Sequence, residues 1–237
     1  MAPYRRVVLK ISGEYLSDGT EALAHEKIRT LTEEIVAAKK LGTEISIVIG
    51  GGNLFRGHTY NGRDSGFMRT DADKMGMLAT AINAIALRSV LESRGTDTVV
   101  LSAISIEGIA DRFSISRCEN ALESGKIVIF CCGTGNPFFS TDSAAALRAC
   151  ELRADVLLKA TNVDGVYDRD PRQFADAKRF SRITYQEVLQ KELHVMDLTA
   201  FILCMENGIP IRIFNGTVDG SLAQIVAGKD FGTLIEK

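Results

Sequence analysis

Short runs of apolar, β-branched residues alternate along the chain with segments in which apolar residues recur every three or four positions. The short runs are typical of strands and the periodic segments of amphipathic helices. The predicted strands are 7–11, 45–49, 98–101, 126–130, 155–160, 210–214 and 233–235. The predicted helices are 26–41, 72–93, 141–152, 184–193, 198–207 and 221–227.

Alternation of strands and helices predicts an α/β fold with a mainly parallel, twisted sheet and helices on both of its faces. No internal repeat, low-complexity tract or linker interrupts this order. We therefore expect a single three-layer αβα domain over residues 1–237. The segment 163–181, rich in Asp, Arg and Pro, is predicted to protrude as a loop that begins with a hairpin at 163–167.

One predicted helix, 72–93, is apolar around most of its circumference. A helix of this kind is buried in a core or against another subunit. Its apolar residues include Met75, Met77, Leu78, Ile82, Ile85, Leu87 and Leu91.

Composition narrows the possible functions. The chain has 237 residues, 46% of them hydrophobic and 24% charged, with a net charge of −2. Proteins that bind duplex nucleic acid usually carry a strong basic excess, so no nucleic-acid partner is indicated. The apolar runs are far shorter than the roughly 20 residues that span a bilayer, and the N-terminus lacks the pattern of a signal segment. We expect a cytoplasmic protein with no membrane partner.

The five cysteines are an odd number and form no C-x-x-C pair. Buried free thiols in a reducing compartment are the expected state, with a metal or redox site as the alternative. The three histidines are scattered, which argues against a histidine metal cluster.

Two glycine-bearing segments follow the first two strands, where open α/β sheets bind ligands. Lys10 and Ser12 project to the same side of strand 7–11, and Gly13 allows the backbone to approach an anion; the alternative is an exposed lysine at a strand end. Three glycines at 50–52 offer amide groups at an expected helix N-terminus, and Arg56 adds a phosphate contact; the alternative is a flexible turn. Residues 52–59 nearly match a P-loop, but His58 stands where the essential lysine belongs.

A third segment, 133–142, offers two aromatic rings for a base, several hydroxyl and amide groups, and Asp142 in the first turn of a helix. The alternative is that Phe138 and Phe139 are core residues and Asp142 is the helix cap. It matches a dinucleotide fingerprint only loosely, so NAD binding is not expected. A fourth segment, 159–171, contains several aspartates without the spacing of a calcium loop, and presents Tyr167 beside a candidate nucleotide site.

At these four segments the chain resembles the amino acid kinase superfamily and, more narrowly, the bacterial uridylate kinase family. The resemblance runs nearly end to end and implies the amino acid kinase-like fold. Its most specific segments are KISGE (10–14), VIGGGNLFRG (48–57), DKMGMLAT (73–80), GTGNPFFSTDSAA (133–145), KATNVDGVYDRD (159–170) and VMDLTA (195–200). It implies transfer of a phosphoryl group from ATP to UMP, giving ADP and UDP, in pyrimidine nucleotide biosynthesis.

The resemblance also implies residue roles. It assigns catalysis to Lys10, Arg56 and Asp142, with Asp142 orienting Lys10. It assigns ATP to Lys10, Ile11, Ser12, Gly13, Gly52, Arg56, Thr161, Asn162, Tyr167 and Asp170. It assigns UMP to Gly51, Asp73, Thr134, Gly135, Asn136, Pro137, Phe138, Phe139, Ser140 and Thr141, with Asp73 on the ribose hydroxyls and both phenylalanines beside the uracil. The acceptor half would then be about 1–150 and the ATP half about 151–237. Asp197 would either have a structural role or support the side chains that contact the substrates.

Members of this family commonly form homohexamers and are activated by GTP and inhibited by UTP. The segment 15–25 lacks the glycine-rich stretch of members regulated through it, so the sequence leaves GTP and UTP regulation open. A phosphate monoester is largely a dianion at pH 7 and needs no catalytic base. We expect no metal site built from protein ligands alone, and Mg²⁺ carried mainly by the ATP phosphates.

Three rival functions stay open at this point. One is phosphorylation of a small carboxylate such as acetylglutamate or aspartate, which does not require two adjacent phenylalanines facing a base. Another is a binding or storage protein built on the same scaffold, such as the molybdenum storage proteins. The third is a nucleotide sensor without activity.

Overall fold

The computed structural model describes residues 4–56, 66–171, 173–174 and 176–237. The strands in these ranges are β1 (Arg6–Ile11), β2 (Glu44–Ile49), β3 (Thr98–Ser102), β4 (Asp111–Arg112), β5 (Ile127–Cys131), β6 (Val156–Thr161), β7 (Arg182–Thr184), β8 (Ile211–Asn215) and β9 (Thr233–Glu236). They form one sheet in the order β4-β3-β5-β2-β1-β6-β8-β9-β7. The pair β8–β9 is antiparallel and every other described pair is parallel, which confirms the predicted sheet.

The helices cover both faces of the sheet. They are α1 (His25–Lys39), α2 (Arg69–Ser93), α3 (Ile115–Glu123), α4 (Thr141–Glu151), α5 (Tyr185–Gln190), α6 (Leu198–Asn207) and α7 (Ser221–Val226), and a short 3-10 helix spans Gly13–Leu16. Helices α1, α2 and α7 pack on the face that holds Leu9 and Ile47. Helices α3 to α6 pack on the face that holds Val8 and Val48. The α/β fold and its three layers are therefore as predicted.

Four short elements were not predicted from the sequence: the 3-10 helix, β4, α3 and β7. Strand β4 has two residues, both exposed, and α3 is a nine-residue helix with only two buried positions. The predicted helix 184–193 is shorter, since β7 ends at Thr184 and α5 ends at Gln190. Thr184 caps α5 through a capping box with Glu187, which fixes where that helix begins. Short or largely exposed segments lack the periodic apolar signal on which the prediction relied.

Helix α2 carries apolar residues on a second face as well as on its buried one. By length and composition it is the one described helix that could cross a membrane. Its residues Ala84, Leu87 and Leu91 are instead buried against the sheet. On the opposite side Leu78 is 50% and Ile82 49% exposed. One face of α2 is thus buried, as expected, and a second apolar face of the helix is exposed.

All five cysteines carry free thiols, as expected. Cys118, Cys131, Cys132 and Cys204 are buried, and Cys150 is half-buried. Burial raises the pKa of Cys118 and of Cys204 to about 12, which keeps both thiols protonated at neutral pH.

Candidate functional site

Two lysines stand side by side at one edge of the sheet, where the carboxyl ends of β5, β2, β1 and β6 meet. Lys10 on β1 is the register partner of Lys159 on β6 in a parallel pair. Paired positions on neighbouring parallel strands project to the same face. Strand register alone therefore brings these two ammonium groups together.

Asp142, in the first turn of α4, lies between the two lysines. Its Oδ1 is 2.9 Å from Lys10 Nζ and its Oδ2 is 2.6 Å from Lys159 Nζ. The three side chains are only 13–14% exposed. The cap of α4 is Ser140, whose hydroxyl accepts a hydrogen bond from Ser143 N. The alternative that Asp142 is the helix cap is therefore wrong.

Burial and charge act against each other in this cluster. Burial alone would raise the pKa of Asp142, but attraction to Lys10 and Lys159 outweighs it, so that the net pKa lies below its usual range. Burial lowers the pKa of Lys159, and attraction to Asp142 offsets only part of that effect. Among the three paired side chains, two ammonium groups face one carboxylate, so the cluster itself carries a net positive charge, which suits an anionic ligand. The carboxylate of Asp197 acts on Lys159 more weakly than that of Asp142.

A cavity of about 390 Å³, here called the α2 cavity, opens beside this cluster. It lies between α2, the glycine run after β2 and the loop 133–140. Of the residues predicted to bind UMP, it is lined by Gly51, Asp73, Thr134, Asn136, Phe138, Phe139, Ser140 and Thr141. Gly135 and Pro137 do not line it, and Gly135 instead packs toward Ala103.

Two exposed phenylalanines form the outer wall of the α2 cavity. Phe138 is 66% and Phe139 51% exposed, so the alternative that both are core residues is wrong. Phe138 has a φ of 72°, which is unusual for a residue with a side chain. Its N–H donates to Asp73 Oδ2 over 2.8 Å, and the guanidinium of Arg69 lies 5.6 Å from the centre of its ring. The hydrogen bond from Phe138 to Asp73 thus links the loop 133–140 to α2.

The glycine run is shaped mainly by close packing. The carbonyl of Gly50 accepts a 2.7 Å hydrogen bond from the fully buried Asn83 of α2. A Cβ on Gly51 would lie 2.8 Å from Ala79 Cβ and 2.8 Å from Gly76 O, so only glycine fits there. A Cβ on Gly52 would find no atom closer than 4.0 Å.

The predicted helix N-terminus at the glycine run is not found among the described residues. Leu54 N and Phe55 N both donate to Gly51 O, which makes a single turn. Gly57, His58 and Thr59 lie outside the described residues.

Arg56 reaches back over the glycine run. Its Nε donates to Gly52 O over 3.1 Å and its Nη2 pairs with the carboxylate of Glu14. Glu14 lines both the α2 cavity and a second cavity of about 470 Å³, here called the α1 cavity. The Glu14–Arg56 pair therefore marks the boundary between the two cavities.

The residues predicted to bind ATP are spread over three cavities, two of which share Lys159 and Thr161. Lys10, Ser12 and Asn162 line the α1 cavity. Tyr167 and Asp170 line a third cavity of about 500 Å³, here called the hairpin cavity. Gly52 and Arg56 lie in the α2 cavity. Ile11 is a core residue, and Gly13 packs against Asn53 and Gly50, so neither residue lines any of these three cavities.

Three residues of this cleft were not predicted from the sequence: Lys159, Glu14 and Asn83. Lys159 lies at the end of a predicted strand, as Lys10 does, and register between those strands was the signal that could have found it. Glu14 directly follows the first glycine turn. Asn83 is a fully buried polar residue on a helix that reads as apolar, and such a residue needs partners.

Comparisons with known proteins give concordant similarities. Residues 5–215 match the model of the amino acid kinase family. The chain is 49% identical to the uridylate kinase of Magnetococcus marinus over 100% of this chain and 98% of that one. It is 48% identical to the chloroplastic uridylate kinase PUMPKIN of Arabidopsis thaliana over 98% of this chain and 68% of that one. The crystal structure of UMP kinase from Bacillus anthracis superposes with a TM-score of 0.95 at 37% identity, covering 99% of this chain and 96% of that one.

Proposed function

The chain belongs to the amino acid kinase family and, within it, to the uridylate kinases, and from that premise we propose that its cleft transfers the terminal phosphoryl group of ATP to UMP. The products are UDP and ADP, in pyrimidine nucleotide biosynthesis. The observation that supports this best is the Lys10–Asp142–Lys159 cluster beside the cavities. A net positive charge at the meeting point of donor and acceptor is what phosphoryl transfer requires.

UMP is assigned to the α2 cavity. Phe138 and Phe139 offer faces for the uracil at its outer wall, and Thr141 lies at its inner end beside Asp142. Asp73 is assigned to the ribose hydroxyls, since its side chain is 15% exposed and carboxylate oxygens accept several hydrogen bonds. Gly51, Thr134, Gly135, Asn136, Pro137 and Ser140 complete the assignment by their backbone or hydroxyl groups.

ATP is assigned to the cavities on the other side of the lysines. The triphosphate would pass Lys159 and Thr161, where the α1 and hairpin cavities join, and reach Lys10, Ser12 and Gly13. The adenosine would lie in the hairpin cavity with Tyr167 and Asp170. Ile11, Gly52 and Asn162 would contribute backbone or amide groups. Donor and acceptor then approach each other at the boundary that Glu14 and Arg56 form.

Catalysis in this proposal is charge cancellation and alignment. The acceptor phosphate is largely a dianion at pH 7 and attacks without a base. Lys10 and Lys159 offset the charge of the transferred group, and Asp142 keeps both ammonium groups in place. Arg56 would leave Glu14 for a phosphate, which accepts the same forked pair of hydrogen bonds as a carboxylate.

Mg²⁺ is assigned mainly to the ATP phosphates. It keeps several waters and usually takes only one or two carboxylates together with substrate phosphates. Across the described ranges no group of three or more His, Cys, Asp or Glu side chains could hold a metal ion. When bound with ATP, Mg²⁺ would neutralise part of the phosphate charge that the lysines face.

Several wider assignments belong to the same proposal. One domain holds an acceptor half (about 1–150) and an ATP half (about 151–237), and the residues of the α2 and hairpin cavities fall on either side of that division.

Six copies assemble, with the open apolar face of α2 between subunits. The protein acts in the cytoplasm, without nucleic-acid or membrane partners. Activation by GTP and inhibition by UTP stay open, because segment 15–25 departs from the regulated pattern.

An acceptor panel tests the proposed function. ADP release from ATP would be measured with UMP, CMP, acetylglutamate, aspartate and no acceptor, each with and without GTP and UTP. UMP should give the highest kcat/KM, and CMP should be poor because groups that pair with the uracil edge are left unpaired by cytosine. A carboxylate preferred over UMP would establish the rival kinase, and no turnover with any acceptor would leave a binding or sensing protein.

A further inference from the structure

The carboxylate of Asp197 forms hydrogen bonds with the N-terminal ends of two helices, α6 and α4. As the N-cap of α6 it accepts a hydrogen bond from Ala200 N over 2.9 Å. The same oxygen, Oδ1, accepts from the hydroxyl of Ser143 on α4 over 3.0 Å, and Oδ2 accepts from the hydroxyl of Ser140. A helix cap needs only one such bond, so two of these three contacts serve α4 rather than α6.

Ser140 transmits this contact to the first turn of α4. It is the N-cap of that helix, and its Oγ accepts from Ser143 N over 3.1 Å. A serine hydroxyl has a single proton. Because that proton is given to Asp197, the lone pairs of Ser140 stay directed at the helix. Asp197 thereby fixes the rotamer of Ser140 and the position of the turn that follows it.

That turn carries residues of both sides of the cleft. Ser140 and Thr141 line the α2 cavity, and the next residue, Asp142, pairs with Lys10 and Lys159. The segment that bears Asp197 also holds Lys159 directly, because Lys159 Nζ donates to Val195 O over 2.8 Å. One short stretch, 195–197, is therefore bonded to the donor-side lysine and to the acceptor-side helix.

We infer that Asp197 is a positioning residue for the transfer step, acting through Ser140 and Ser143 on Thr141 and Asp142. The inference rests on the proposed function. It goes beyond a structural role for Asp197, since a cap of α6 alone would stabilise the fold without affecting turnover. A small displacement of a catalytic group lowers the rate by up to roughly 100-fold, so loss of the hydrogen bonds from Ser140 and Ser143 to Asp197 should lower kcat.

The test compares Asp197→Ala and Asp197→Asn with Ser114→Ala. Ser114 caps α3 through Arg117 N and lines none of the described cavities, so its variant loses a cap without touching the cleft. Both alanine variants should lower Tm by a few degrees, about 2–4 °C for each lost cap in a chain of this size. Of the two, only Asp197→Ala should lower kcat, by about 10–100-fold. Relative to wild type, its KM for UMP should rise more than its KM for ATP.

Asp197→Asn keeps an oxygen for Ala200 N and Ser143 but cannot accept from Ser140. It should fold like wild type and show an intermediate loss of kcat, which keeps the inference testable if the alanine variant does not fold. Wild-type kcat and KM in Asp197→Asn, or kinetics of Asp197→Ala that match Ser114→Ala, would overturn the inference. Failure of the proposed function would look different, because wild-type enzyme assayed in parallel would then form no ADP with UMP.

Discussion

At the scale of single residues, the cleft is organised by one buried carboxylate that serves two ammonium groups. Asp142 is 2.9 Å from Lys10 and 2.6 Å from Lys159, and little solvent reaches any of the three. Breaking a buried ion pair by removing one partner costs about 3–5 kcal/mol, because a charge is left uncompensated. The cluster is therefore expected to be both a stability element and the source of positive charge for two phosphates.

The titration of Lys159 tests this balance. Burial lowers its pKa and Asp142 partly restores it, so the lysine should titrate below the ~10.4 of an unperturbed side chain. Asp142→Asn removes the restoring charge and should lower that pKa further. The positive charge is present below the pKa and is lost as pH rises through it. NMR titration of the Lys159 side chain in wild type and Asp142→Asn measures both values; an unchanged or higher pKa in the variant would contradict this picture.

Asp73 makes a second contact besides the one proposed with the ribose, since its carboxylate also accepts a hydrogen bond from Phe138 N. Asp73→Asn should raise KM for UMP by about 10-fold or more, since a hydrogen bond to a charged group contributes about 1.5–3 kcal/mol, while KM for ATP changes little. Asp71→Asn is a matched control, because Asp71 is exposed on the same turn of α2 and pairs only with Lys74 among the described contacts. Equal effects of Asp73→Asn on both substrates would contradict the acceptor assignment.

At the scale of elements, the glycine run after β2 combines two physical requirements that look identical in the sequence. Gly51 is a glycine because α2 packs directly on its Cα, whereas Gly52 has open space around it. Only Gly52 is therefore free of packing demands and available to be shaped by a ligand.

This contrast predicts that one added methyl group destabilises the protein at Gly51 but not at Gly52. Gly51→Ala should lower Tm by several degrees, since forcing an extra carbon into a packed site costs about 1–3 kcal/mol. Gly52→Ala should keep the wild-type Tm to within about 1 °C, because nothing lies within reach of the added carbon. Thermal unfolding of the two variants measures the difference, and equal Tm values would show that the contact with α2 is not tight.

Elements with a clear apolar period could be predicted from the sequence. Contacts that depend on strand register or on burial between elements could not. Strands β1, β2 and β6 and helices α1, α2 and α4 were predicted to within a few residues. The pairing of Lys10 with Lys159 depends on the order of strands in the sheet, which periodicity along the chain does not contain. The buried Asn83 was hidden for the same reason, since its partners at Gly50 and Asn53 belong to another element.

At the scale of the whole molecule, one surface of the described chain does not suit an isolated subunit. Leu78 and Ile82 are about half exposed on α2, one turn apart, with Met75 beside them. Exposed apolar patches commonly mark sites of contact with other proteins. The proposed hexamer would cover this face with a second copy.

A charge on that face should separate the subunits. Ile82→Glu should reduce the assembled mass measured by analytical ultracentrifugation, because an unpaired carboxylate is costly to bury in an apolar interface. Leu198→Glu is the control, since Leu198 is 63% exposed on the opposite face of the sheet. A wild-type chain that sediments as a monomer, or an Ile82→Glu variant of unchanged mass, would contradict this part of the proposal.

The proposed transfer depends on positive charge at the edge of the sheet, and turnover of Lys10→Ala with saturating ATP and UMP tests that requirement most directly. Lys229→Ala provides the control, because Lys229 is exposed and lines none of the described cavities. Loss of Lys10 should lower kcat by roughly 10²–10⁴-fold in a protein that remains folded, a few kcal/mol of transition-state stabilisation. Turnover within a factor of about two of wild type, in a folded Lys10→Ala protein, would contradict the account.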